Sequence, residues 1–114
     1  MSDCLFCAIV SGDIPGDVVA RTDRVLAFRD IDPKAPTHIL IIPIEHFEDL
    51  PAVAQADSSL AGEIFAVAAE LAESEGIAET GHRLVANTGR EGGQTVSHAH
   101  VHLLGGRSLS WPPG

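Results

Sequence analysis

From Ser97 to Leu104 the chain reads Ser-His-Ala-His-Val-His-Leu-Leu, an alternation of histidine with apolar residues. A period of two belongs to strands, so the segment predicts a half-buried strand over 97–104, ended by Gly105-Gly106. Residues two apart on a strand share a face and sit roughly 6.6–7 Å apart. His98, His100 and His102 are thus expected to point the same way, with Ala99, Val101 and Leu103 packed on the other face. Ordinary packing disfavours such a row. Each imidazole needs hydrogen-bond partners, and protonated neighbours repel. Two chemistries use it. One is metal ligation by neutral imidazole. The other is nucleophilic catalysis, in which one imidazole attacks, a neighbour orients it, and another binds or protonates the reacting group. Imidazole needs no strong base to become a nucleophile near pH 7, and the phosphorus–nitrogen bond it forms is labile.

The surrounding pattern predicts the scaffold. Thr37 to Ile42 (Thr-His-Ile-Leu-Ile-Ile) is the most apolar β-rich run, a central strand ended by Pro43, which cannot donate to a ladder. Val18–Arg21 and Val25–Arg29, separated by Thr22-Asp23-Arg24, read as a hairpin. Asp30 to Pro36 reads as a loop. Leu60, Ile64, Val67 and Leu71 form one apolar stripe, so Ser58–Glu75 reads as an amphipathic helix with N-caps among Asp57, Ser58 and Ser59 and a C-terminal cap at Gly76. Cys4–Val10 suggests one or two helical turns, and His82–Asn87 another strand. Strands, then a helix, then strands with short connections imply an α+β class with an antiparallel sheet.

Composition narrows the function. The 114 residues, 45% hydrophobic and 20% charged, suffice for one core, so residues 1–114 are expected to form one domain. A formal net charge of -9 speaks against nucleic acid and anionic membranes as partners. No apolar run reaches the ~20 residues of a membrane span. Met1-Ser2-Asp3-Cys4 lacks the basic and apolar parts of a signal peptide, so a soluble, cytoplasmic protein is expected.

The segment Gly92-Gly93-Gln94-Thr95-Val96-Ser97-His98-Ala99-His100-Val101-His102-Leu103-Leu104-Gly105-Gly106-Arg107 contains the motif His-φ-His-φ-His-φ-φ and resembles the histidine-triad (HIT) superfamily. Phe28-Arg29-Asp30-Ile31-Asp32-Pro33-Lys34-Ala35-Pro36-Thr37-His38, Asn87-Thr88-Gly89 and Trp111-Pro112-Pro113-Gly114 resemble its Hint branch. The resemblance implies a HIT-like fold with about five antiparallel strands, one long helix and a short N-terminal helix. It implies a homodimer with the sheet continued across the interface. It also implies hydrolysis or transfer at the α-phosphorus of purine nucleoside phosphoramidates or aminoacyl-adenylate-like substrates. By motif position, His100 matches the nucleophile and His102 the histidine that contacts the phosphate and the departing group. His98 and His38 match positions that support the nucleophile. Asp30 matches the carboxylate that binds the ribose hydroxyls. Phe6, Ile9, Ile14, Phe28 and Ile31 match the purine pocket walls. Gly93, Thr95, Val96 and Asn87 match positions near the phosphate, with Thr95 where relatives often carry Ser. Trp111 matches a tail residue that reaches the partner's site. Arg29 stands where relatives often have His and takes no role; His82 has none either.

Cys4-Leu5-Phe6-Cys7 is a chelating pair that needs two more ligands for tetrahedral zinc. Some bacterial relatives supply them from a His after the central strand and from the first triad His. Here those are His46 and His98, which predicts a structural zinc site of Cys4, Cys7, His46 and His98 and makes His98 a ligand, not a freely titrating group. A redox dithiol and a pair of inert thiols are the alternatives. Three other functional readings compete: a nucleotide-binding regulatory or scaffold protein, a metal site built from the three triad histidines, and dinucleoside polyphosphate hydrolysis. The short chain and the Trp-Pro-Pro-Gly ending favour the Hint branch over the last.

Overall fold

The structure is a computed structural model that describes residues 4–114; residues 1–3, part of the opening read above for a signal peptide, lie outside the described residues. The elements are α1 (Leu5–Ser11), β1 (Val18–Arg21), β2 (Val25–Arg29), β3 (Thr37–Pro43), α2 (Leu50–Ala56), α3 (Ser58–Ser74), β4 (His82–Val85) and β5 (Val101–Gly105). The strands form one antiparallel sheet in the order β1-β2-β3-β5-β4. This is the α+β arrangement the sequence pattern predicts, and the described residues hold the five strands, one long helix and short N-terminal helix that the resemblance implies. Among the described residues no helix is long and apolar enough to cross a membrane.

Every residue of β3 is buried, as a central strand covered on both faces must be. Its alternation sorts the core into two halves. Ile39 and Ile41 face α3, where Leu60, Ile64, Val67 and Leu71 form the expected stripe, joined by Ala99, Val101 and Leu103. Leu40 and Ile42 face the other way, with Leu26, Phe28 and Phe6 of α1. Full burial of each large aliphatic side chain here contributes ~1.5–3 kcal/mol. His38 shares the second face, because it lies two residues before Leu40. On that face Phe28, Leu40 and His102 form one row across three strands.

The long helix begins after Asp57, whose carboxylate accepts from the amides of Ser59 and Leu60. Glu75 caps it, and Gly76 follows at φ 74°, the left-handed turn expected of a C-terminal glycine. The sequence reading missed α2. Its signals are Asp49, which accepts from the Ala52 amide at 2.9 Å, and Pro51 in the first turn.

One strand differs from expectation in a way that shapes the site. β5 begins at Val101, not Ser97; Val96–His98 bend, and Ala99 and His100 form no ladder. The register pairs Ile41 with Val101, which sets Pro43 opposite Ala99. Proline offers no amide, so the ladder stops there. The Ala99 amide donates instead to the Phe47 carbonyl at 2.8 Å. β4 likewise ends at Val85, before Asn87.

Candidate active site

A cavity of about 270 Å³ opens on the face that carries His38 and His102. Phe6, Ile9 and Ile14 wall it from α1 and the turn after it, and Phe28, Asp30 and Ile31 from β2 and the following loop. Thr95, Val96, His100 and His102 close the far side. Ten of the residues nominated from sequence therefore meet in one place. Leu5, Pro15, Gly16 and Leu40 also line it, and so does Arg29, to which no role was given.

The three triad histidines do not share one face. His98 leaves the cavity, because the bend before β5 turns its ring toward the N-terminal segment. His100 is 3% exposed, and its Nδ1 lies 2.7 Å from the His98 carbonyl oxygen. A carbonyl only accepts, so Nδ1 carries a hydrogen, and in the neutral ring the lone pair lies on Nε2. Phe6 packs edge-on against this ring, centroids 5.2 Å apart. The His98 backbone thus orients His100, although its side chain does not.

A second chain of bonds fixes His102. The Lys34 amide donates to His38 Nδ1 at 3.0 Å, so neutral His38 carries its hydrogen on Nε2. That hydrogen is donated to His102 Nδ1 at 2.9 Å. His102 must then hold its own hydrogen on Nε2. Burial, with His100 and His38 adding to it, pushes His102 down to about 4, against the opposing pull of Asp30. Burial also lowers His38, again against Asp30, whose carboxylate is 3.5 Å from His38 Nε2. Both rings are neutral near pH 7, as the hydrogen pattern requires. The cavity thus has a basic nitrogen on His100 and an N–H donor on His102, in rings 5.0 Å apart.

His98 completes a different cluster. Its Nε2–H donates to the Pro43 carbonyl at 2.9 Å, which leaves the Nδ1 lone pair free to ligate. Nδ1 lies 3.2 Å from Cys4 Sγ, 3.5 Å from Cys7 Sγ and 3.2 Å from His46 Nδ1, and His46 Nδ1 is 3.4 Å from Cys7 Sγ. Tetrahedral zinc with its usual bond lengths would set such edges at about 3.6 Å (S–N) and 3.3 Å (N–N). The donor set and its spacing fit a metal ion, and the four residues lie close enough to bind one. Cys4 also caps α1, its sulfur accepting from the Cys7 amide at 3.2 Å.

Asp30, His38 and His102 also bring ligand atoms together. Here the hydrogen pattern opposes a metal. The Lys34 amide occupies the His38 Nδ1 lone pair, so Nε2 is protonated and cannot ligate. With His98 drawn to the cysteines, the three triad imidazoles do not form one metal site.

The remaining predicted residues stand apart from the cavity. Asn87 Nδ2 donates to the Gly92 carbonyl at 2.7 Å and braces the glycine loop, while Gly93 turns it at φ 78°. Trp111 is 80% exposed, on the tail. Sequence reasoning missed Gln94, which ties the loop down. Its amide donates to the Glu48 and Val96 carbonyls, and its carbonyl accepts from the Gly89 amide. It also missed Lys34, which acts through its backbone and so leaves no side-chain signal.

The model of the HIT domain matches residues 11–109. Purine nucleoside phosphoramidase of Escherichia coli is 50% identical over 107 residues, 94% of this chain and 90% of that protein. The crystal structure of a HIT family hydrolase from Legionella pneumophila superposes with a TM-score of 0.94 at 52% identity, covering 98% of this chain and all of that one. A HIT family hydrolase from Clostridium thermocellum gives 0.92 at 40% identity, with 96% of each chain covered.

Proposed function

The chain belongs to the HIT family, and on that premise we propose that it is a nucleotide hydrolase or nucleotidyl transferase with His100 as its nucleophile. Its substrates are purine nucleoside phosphoramidates or aminoacyl-adenylate-like compounds. The observation that carries this reading is the 2.7 Å contact from His100 Nδ1 to the His98 carbonyl. It commits the Nδ1–H to the His98 carbonyl and turns Nε2 into the nitrogen available for attack, beside a second imidazole that holds a donor hydrogen.

His100 Nε2 attacks the α-phosphorus, and the bond from phosphorus to the departing amine nitrogen or carboxylate oxygen breaks, an amine taking up a proton as it leaves. The ring becomes a cationic nucleotidyl-histidine, and its Nδ1–H still donates to the His98 carbonyl. The His102 Nε2–H binds the phosphate oxygen and the departing group. Water then attacks phosphorus, gives up a proton, breaks the bond to His100 and restores the imidazole, so the proton taken by a departing amine is returned. Asp30 accepts from the ribose hydroxyls, and Phe6, Ile9, Ile14, Phe28 and Ile31 hold the purine. Gly93, Thr95, Val96 and Asn87 serve the phosphate, through backbone amides, the Thr95 hydroxyl and the Asn87 brace.

Cys4, Cys7, His46 and His98 would hold a structural zinc ion that clamps α1, and with it Phe6, to the sheet. β4 is an edge strand, which suits a homodimer with a continued sheet and a Trp111 that serves the partner's site. One domain in the cytoplasm completes the reading.

The test is a substrate panel of adenosine phosphoramidate, acyl-adenylate and dinucleoside polyphosphate, assayed with wild type and His100→Ala. Turnover of the first two is expected, with kcat falling roughly 10³-fold or more in the variant while nucleotide binding persists. Binding without turnover by wild type would favour a scaffold role. Normal turnover by the variant would refute the nucleophile.

A further inference from the structure

Glu75 sits at the C-cap of α3, an end where the helix dipole disfavours a carboxylate. Nothing in the helix explains it, yet its side chain is mostly buried and fully engaged. Both oxygens receive the Arg29 guanidinium, Nη1 to Oε1 and Nη2 to Oε2, each at 2.8 Å. The Thr37 hydroxyl donates to Oε1 at 3.3 Å. Arg29 keeps this carboxyl below its usual range, so the ion pair holds across neutral pH.

The two residues it grips sit where the site is built. Arg29 is the last residue of β2, immediately before Asp30; Thr37 is the first of β3, immediately before His38. Between them runs the Asp30–Pro36 loop, closed by the Asp30 amide donating to the His38 carbonyl at 2.9 Å. A single carboxylate thus ties both ends of the loop to α3, which otherwise packs on the opposite face of the sheet.

We propose that Glu75, through Arg29 and Thr37, is a positioning residue for Asp30 and so for recognition of the ribose. The inference rests on the reading of Asp30 as the ribose-binding carboxylate. The bidentate fork fixes the direction in which β2 ends and therefore where the Asp30 carboxylate stands.

Binding of adenosine monophosphate and its 2′,3′-dideoxy analogue, measured by calorimetry, tests this on wild type, Glu75→Gln and Asp30→Asn. Misplacing the carboxylate should weaken the ribose form roughly tenfold and the dideoxy form less than twofold, in both variants. Arg29→Lys keeps the charge but loses the fork, and should show the same contrast more weakly. It carries the test if Glu75→Gln does not fold. Equal weakening of both ligands by Glu75→Gln would mean a merely structural brace and overturn the proposal. So would no weakening of either. If Asp30→Asn itself does not distinguish the two ligands, the ribose reading fails, and the inference falls with it for that separate reason.

Discussion

His102 links the site to stability in a way that pH exposes. Its imidazole is pushed from an ordinary 6.5 to about 4, first by burial and then by His100 and His38. Above pH 6.5 the ring is neutral in both the folded and the unfolded chain, so it gives no pH dependence there. Between 6.5 and about 4 the unfolded chain binds a proton that the folded chain refuses, and stability falls as pH drops. Below about 4 both states are protonated and the slope from this group vanishes. At ~1.4 kcal/mol per pH unit, that interval amounts to about 3 kcal/mol. This is a large share of the ~5–15 kcal/mol typical of a whole domain. His102→Gln keeps a hydrogen-bonding side chain but cannot titrate. Urea unfolding of both proteins, in one metal state and at steps from pH 7.5 to 4, isolates the difference. Far-UV circular dichroism is the better probe, since Trp111 is largely exposed already and reports little on the core. The stability difference should stay constant above pH 6.5 and then move by about 3 kcal/mol in favour of Gln as pH reaches 4. Parallel curves through that range would refute the argument that His102 is held neutral by its surroundings.

Two further outcomes follow from named contacts. Asp49→Ala removes the acceptor for the Ala52 amide and should cost ~1 kcal/mol in urea unfolding, with Asp49→Ser restoring most of it; no loss would mean that α2 needs no cap. Metal removal should lower the unfolding free energy of wild type, by ~4 kcal/mol of linkage if free metal stood at about 1,000 times its Kd. His46→Ala should show a smaller response and less than one bound metal per chain; equal metal content in the two proteins would exclude His46 as a ligand.

Much of the scaffold was legible because it rests on periodicity. The stripe from Leu60 to Leu71 and the run from Thr37 to Ile42 specify which faces are buried, and the sheet follows. The histidine row was legible only in part. Alternation identifies extended backbone but not whether a neighbour pairs with it, and Pro43 removes the ladder beneath the first half of the row. That release frees His98 for the cysteines and turns three equivalent imidazoles into three different ones. Their hydrogen positions were not legible at all, because the Lys34 amide and the His98 and Pro43 carbonyls set them, and every residue type carries such groups. The gathering of Cys4, Cys7, His46 and His98 came from family resemblance, since spacing alone marks only the first pair. Glu75 read only as the last residue of a helix, because its partners lie 46 and 38 residues away.

Position 98 answers two demands through separate atoms. The neighbouring ring depends on its carbonyl, which any amino acid supplies, while the cysteine cluster depends on its imidazole. The two can therefore diverge independently. A descendant that abandoned the cysteines could replace this histidine with another residue of similar bulk and leave the hydrogen pattern at position 100 undisturbed. A swap at position 38, by contrast, would rewrite the hydrogen on His102 at once. The first histidine of the motif is the one that evolution, or a protein engineer, can reassign most cheaply.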